Sequence, residues 1–90
     1  MKVADLKSLI EFQEYKCALS GRPLTPDDCE LDHCFPVSRG GQHVRDNVQL
    51  VTTDINRAKG PMTSDEFVEM CVDVALRSGR CVSSGYRYTG

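Results

Sequence analysis

The chain predicts a small α+β domain, on three observations. Two short runs, "CELDHCF" and "NVQLVT", read as strands. Helical patterns stand before and after them, and a helix of barely two turns follows the second strand directly. Ninety residues make one domain, 1–90, with a modest core, because a chain of this size buries roughly 60% of its unfolded surface.

In "VADLKSLIEFQEYK", apolar residues at 3, 6, 9, 10 and 12 fall close to one helical face and predict a helix from about Ala4 to Tyr15, within an N-terminal segment 1–16. "CALSGRPLTPDD" carries Ser-Gly, two prolines and an Asp pair, the signals of a short hairpin or irregular loop. The core then runs over 28–60. Its first strand is ended by Pro36, "SRGGQ" is a flexible loop, and Asn47 opens the second strand. In "TDINRAKGP", Thr53 or Asp54 can cap a short helix that Gly60-Pro61 stops. Thr63 and Glu66 are spaced as a capping box for a longer helix over 63–79, with Phe67, Cys71, Val74 and Ala75 on its apolar face and Gly79 as its stop. Residues 80–90, polar and rich in Gly and Ser, read as a flexible tail.

The five cysteines, odd in number and unevenly spaced without a secretory signal, argue against a disulfide framework and for a reducing cytoplasm. No stretch approaches a membrane span. The net charge of −2 does not by itself point to a nucleic-acid partner. Its distribution says more: from Ser38 to Gly60 the bases are Arg39, Arg45, Arg57 and Lys59, against only Asp46 and Asp54. A basic loop on an acidic body can contact phosphates, weakly and with strong salt dependence.

The polar residues fall at definite places. Asp32 and His33 lie late on the first strand, Asn47 fourteen residues after His33, and Asn56 nine residues after Asn47 in the short helix. Lys59 is three residues beyond Asn56, on the same helix face. Strand neighbours such as Asp32 and His33 point to opposite faces, so a shared site needs the strand to end, twist or bulge there.

With these residues in view, "LDHCFPVSRGG…DNVQLVTTDINRAKG" resembles the HNH, or ββα-metal, nucleases, and most closely their Asp-His-Asn subgroup, which includes phage nicking endonucleases and the HNH domain of CRISPR effector nucleases. The resemblance runs from about Tyr15 to Cys71 and rests on an ordered set: Asp-His, Pro, Gly-Gly, Asn, then Asn-Arg-x-Lys-Gly. It implies a core of two antiparallel strands and a short helix, flanked by the two longer helices. It implies a metal-dependent DNA endonuclease that nicks one strand per site, leaving 5′-phosphate and 3′-hydroxyl ends. His33, Asn47 and Asn56 would be the catalytic set, with His33 as general base and Asn47 holding the loop after the first strand. Asp32 and Asn56 would bind one Mg²⁺ or Mn²⁺, since a hard, open oxygen site suits those ions. Arg39, Arg45, Arg57 and Lys59 would contact DNA. Cleavage of both strands would call for a homodimer or sequential hits, and a larger protein partner could supply specificity. The setting implied is the cytoplasm of a bacterial or phage-infected cell.

The chain departs from the family at the structural zinc that many members hold through two Cys-x-x-Cys pairs. Here the first pair reads "CALS", keeping Cys17 but placing Ser20 opposite, and the second would fall at Thr52 and Ile55. Four ligands are needed, and Cys17, Cys29, Cys34 and His43 do not match a zinc spacing, so no structural zinc is expected. Apolar contact between the N-terminal helix, the hairpin and the long helix would replace it. His43 reads as an exposed loop residue, and a Cys34–His33 pair is disfavoured because strand neighbours rarely reach each other. The rival to an enzyme is a non-catalytic HNH-like module that binds nucleic acid. A second rival is a domain scaffolded by zinc.

Overall fold

The computed structural model describes residues 1–79; the tail reading for 80–90, with its "GYRY" run, lies outside them. The order is α1 (Val3–Phe12), β1 (Glu30–His33), β2 (Val48–Val51), α2 (Thr53–Lys59) and α3 (Ser64–Arg77), with 3₁₀ turns at Val37–Arg39 and Arg45–Asn47. It is an α+β fold: an antiparallel β1–β2 pair and a short helix, flanked by a helix on either side.

Helix α1 begins where Asp5 accepts a hydrogen bond from the Lys2 backbone N–H at 2.8 Å. It stops three residues short of the expected Tyr15, because Glu14 and Tyr15 take left-handed φ values of 56° and 61°. That reversal lets the chain double back, so that Leu24 N–H reaches the Tyr15 carbonyl at 2.8 Å. Gln13, just past the helix, then serves as a piece of strand. Its side-chain amide donates to the Leu50 carbonyl and accepts from the Leu50 N–H, each at 2.9 Å. A sheet edge otherwise leaves such groups without partners.

The strands pair in unbroken register from Glu30↔Val51 to His33↔Val48. Alternation puts Leu31 and His33 on one face and Glu30 and Asp32 on the other. The irregularity expected at Asp32-His33 is a stop, not a bulge: β1 is four residues long and ends at His33. Asn47 does not open β2; it closes the 3₁₀ turn before it. Strand β2 is buried along its length. Val48, Leu50 and Val51 join Leu9, Cys17 and Leu24 in the core, with Ile10, Leu19, Cys29, Leu31 and Ile55 packed around them.

Cys17 is buried, the buried Thr52 hydroxyl lies 4.0 Å from its sulfur, and that hydroxyl also donates to Asp54 at 2.6 Å. Burial pushes the Cys17 thiol up, but hydrogen bonds from Ser20, Thr52 and Leu19 outweigh it and leave the thiol below its ordinary value.

Helix α3 carries the expected capping box: the Thr63 hydroxyl accepts from Glu66 N–H at 3.1 Å and Glu66 accepts from Thr63 N–H at 3.0 Å. Its packing differs from expectation. Phe67 is its only buried residue, and Val74 is 62% exposed. The apolar face is therefore sunk only at its first turn, and of the expected contact between the N-terminal helix, the hairpin and the long helix, the core draws on α1 and the hairpin but not on α3.

Candidate active site

Helix α2 is laid on the Glu30/Asp32 face of β1 by two rungs. Asn56 Nδ2 donates to Glu30 Oε1 at 2.6 Å, and one turn later Lys59 Nζ reaches Asp32 Oδ1 at 3.2 Å. A helix step of three residues matches a strand step of two, because those are the spacings at which each element returns to one face. The helix start is fixed by Asp28, which accepts from the Thr53 N–H at 2.7 Å, and by the Thr53 hydroxyl, which donates to Glu30 Oε2 at 2.9 Å. Hydrogen bonds from Asn56 and then Thr53 hold the Glu30 carboxyl below its ordinary value.

Lys59 is fully buried, which corrects its expected place as a cation facing DNA. Its ammonium also donates to the His33 carbonyl at 2.9 Å, and Asp32 is buried beside it. The second Asp32 oxygen accepts from Gln49 Nε2 at 2.9 Å, directly across the hairpin, and Gln49 donates as well to the Ser64 hydroxyl at 3.0 Å. Asp32, Lys59, Gln49 and Ser64 thus form one interior network joining both strands, α2 and the start of α3. A buried lysine or carboxylate is tolerable only when paired in this way.

Asp32 and Asn56 share the β1–α2 interface, but each bonds a different partner: Lys59 and Gln49 for Asp32, Glu30 for Asn56. Among the described residues, no cluster of three His, Cys, Asp or Glu side chains forms a metal cage.

His33 projects from the opposite face of β1, where Nε2 lies 2.9 Å from Nδ1 of His43. The rings tilt at 48° with centroids 5.2 Å apart. The sequence offered no signal for this pair, since its members stand ten positions apart across a loop. Asn47 ties that loop down with three bonds: Oδ1 accepts from Phe35 N–H at 2.9 Å, and Nδ2 donates to the carbonyls of Phe35 at 2.9 Å and Gln42 at 2.8 Å. Gly40 holds φ at +100°, and a Cβ on Gly41 would stand 1.8 Å from the Phe35 carbonyl oxygen. That close approach is open to glycine alone.

The arginines diverge. Arg39 is not a free surface cation: its guanidinium grips both oxygens of Glu66 and lies 5.7 Å over the Phe35 ring. Arg57 is exposed on α2 beside Asp54, while Arg45 is half-buried in its turn.

Two solved structures share this architecture. A type II restriction endonuclease aligns with 80% of the chain at a TM-score of 0.58 and 28% identity. The Type II-C Cas9 enzyme from Actinomyces naeslundii aligns with 99% of the chain at a TM-score of 0.67 and 23% identity. The fold is one found within nucleases. This chain spans 38% of the first structure's length and 10% of the second's. No family model and no curated protein matches the sequence.

Proposed function

We propose that the chain is a metal-dependent DNA endonuclease of the HNH type, with His33 as general base and Asp32 and Asn56 as the residues that would hold a divalent ion. The observation that supports this reading is the seating of α2 on β1, which brings Asp32 and Asn56 to one interface at the strand that ends in His33. The likeness in fold to a restriction endonuclease and a Cas9 enzyme supports it.

The donors fit Mg²⁺ or Mn²⁺. Asn56 spends its amide nitrogen on Glu30 and keeps its carbonyl oxygen unengaged among the described residues. Each Asp32 oxygen makes one hydrogen bond and retains further acceptor capacity. With so few protein ligands, water and a substrate phosphate would fill the remaining positions, as Mg²⁺ prefers. When bound, such an ion supplies Lewis-acid stabilisation of charge on the phosphoryl and leaving oxygens. The chain's own residues do the rest. His33 takes a proton from the attacking water, as imidazole can near neutral pH. Asn47 keeps the loop beside His33 in place, and Lys59 offsets the Asp32 charge from within. Arg57 and Arg45 remain for backbone phosphates, while Arg39 could serve only by leaving Glu66. One site cuts one strand, leaving 5′-phosphate and 3′-hydroxyl ends.

One observation favours the non-catalytic reading: Asp32 is already buried against Lys59 and Gln49. End-labelled duplex DNA separates the two. Hydrolysis requires Mg²⁺ or Mn²⁺, and Asp32→Ala and Asn56→Ala should each lose it while DNA retardation on a gel persists. Metal-independent binding without cleavage by the wild type would leave the binding module instead.

A further inference from the structure

We infer that His43 is a positioning residue that selects the tautomer and orientation of His33, leaving the Nδ1 lone pair of His33 free to act as the base. This rests on the nuclease reading of His33. Nε2 of His33 and Nδ1 of His43 are 2.9 Å apart, a hydrogen-bonding distance that requires one proton between them. A neutral imidazole has one donor and one acceptor nitrogen, and the bond made by one nitrogen decides the state of the other. If His43 donated, His33 Nε2 would spend its lone pair and Nδ1 would carry the proton, leaving no base. With His33 donating from Nε2, its Nδ1 lone pair is free. The arrangement compatible with a base at His33 therefore has His43 Nδ1 as acceptor.

His43 is held for this task by the features that order its loop. Asn47 grips the carbonyl of Gln42, the residue immediately before it. Gly41 packs its bare Cα face against the Phe35 carbonyl, and its N–H donates to the Pro36 carbonyl at 2.9 Å. The Gly-Gly turn and Asn47 together make the loop return to the strand end at the height of His33. Asn47 then acts on the chemistry through His43, and both act through His33.

The test combines spectra with kinetics. Long-range ¹H–¹⁵N spectra of the imidazoles, taken on the full chain at a pH where both rings are neutral, should show His33 protonated at Nε2. In His43→Ala the pattern should move to a mixture of tautomers. Wild-type His33 protonated at Nδ1, or a pattern unmoved by His43→Ala, would overturn the inference whether or not the protein cuts DNA. In nicking assays His43→Ala should lower kcat by about 10-fold or more, within the 10²–10⁴-fold that a general base contributes, and leave KM little changed. His43→Asn, whose Oδ1 can accept at the place of Nδ1, should recover most of the loss. An unchanged kcat in His43→Ala, with wild type active and His33→Ala dead, would refute the role of His43 while sparing that of His33. No cleavage by wild type would sink the nuclease reading, and the spectra would still decide the tautomer.

Discussion

Lys59 and Asp32 form an ion pair taken out of water, with side chains 1% and 8% exposed. Such a pair is a weak source of net stability, because two desolvation penalties offset the attraction. Breaking it from one side is another matter, since the remaining charge has no water to turn to. Lys59→Met should cost about 3–5 kcal/mol in urea unfolding, although the residue lies on a two-turn helix where substitutions are usually mild. Asp32→Asn with Lys59→Met should recover part of that loss, and a double-mutant cycle would measure the coupling. At this scale the sequence told only half. Asn56 and Lys59 at i,i+3 share a face by helix geometry, but spacing does not say whether that face meets a strand or solvent. The missing clue was parity: Asp32 stands opposite Gln49 in the hairpin, and a carboxylate buried there needs a cation. His43 was less legible still, because its approach to His33 depends on the Gly40-Gly41 path and on Asn47, none of which a linear pattern encodes.

Among the elements, the hairpin and α2 are the frame, and α1 is the cover. Strand order, the short helix and the Thr63–Glu66 box were readable because each is written in local chemistry: alternation, a Gly-Pro stop, a hydroxyl three residues before a carboxylate. The end of α1 was not, since left-handed Glu14 and Tyr15 are set by the return of the chain to Leu24 and not by their own preference. Leu9 is the one buried residue of α1 and sits in the core with Leu50 and Val51. Leu9→Ala should therefore destabilise the fold by about 2–5 kcal/mol, a large share of what a small domain has. Val74→Ala on α3, where the apolar face is open, should cost well under 1 kcal/mol. Equal losses at the two positions would mean that α3 is covered in solution by something beyond the described contacts.

For the whole molecule, acid sensitivity follows from where the carboxylates work. Glu30, Asp54 and Glu66 each sit below their ordinary values. Asn56 and Thr53 hold Glu30, Thr52 and the Ile55 N–H hold Asp54, and Arg39 with Thr63 holds Glu66. Carboxyls depressed in the folded state contribute stability that is present above their unfolded values and lost as the pH falls through the folded ones. Thermal melting temperature should thus hold steady above the ordinary glutamate value near 4.5 and fall progressively below it. Glu30→Gln should flatten that fall, because it removes the group that ties α2 to β1. A melting temperature that stays level into strong acid would show that these bonds add little.

The central claim for the whole molecule is that this arrangement cuts DNA. The most direct measurement is relaxation of supercoiled plasmid by the full chain with Mg²⁺, Mn²⁺ or EDTA, run in parallel with His33→Ala. Metal-dependent conversion to open circles, abolished by EDTA and by the substitution, is the expected result. Cleavage that continues in His33→Ala, or a folded wild type that leaves the plasmid supercoiled in both metals, would contradict it.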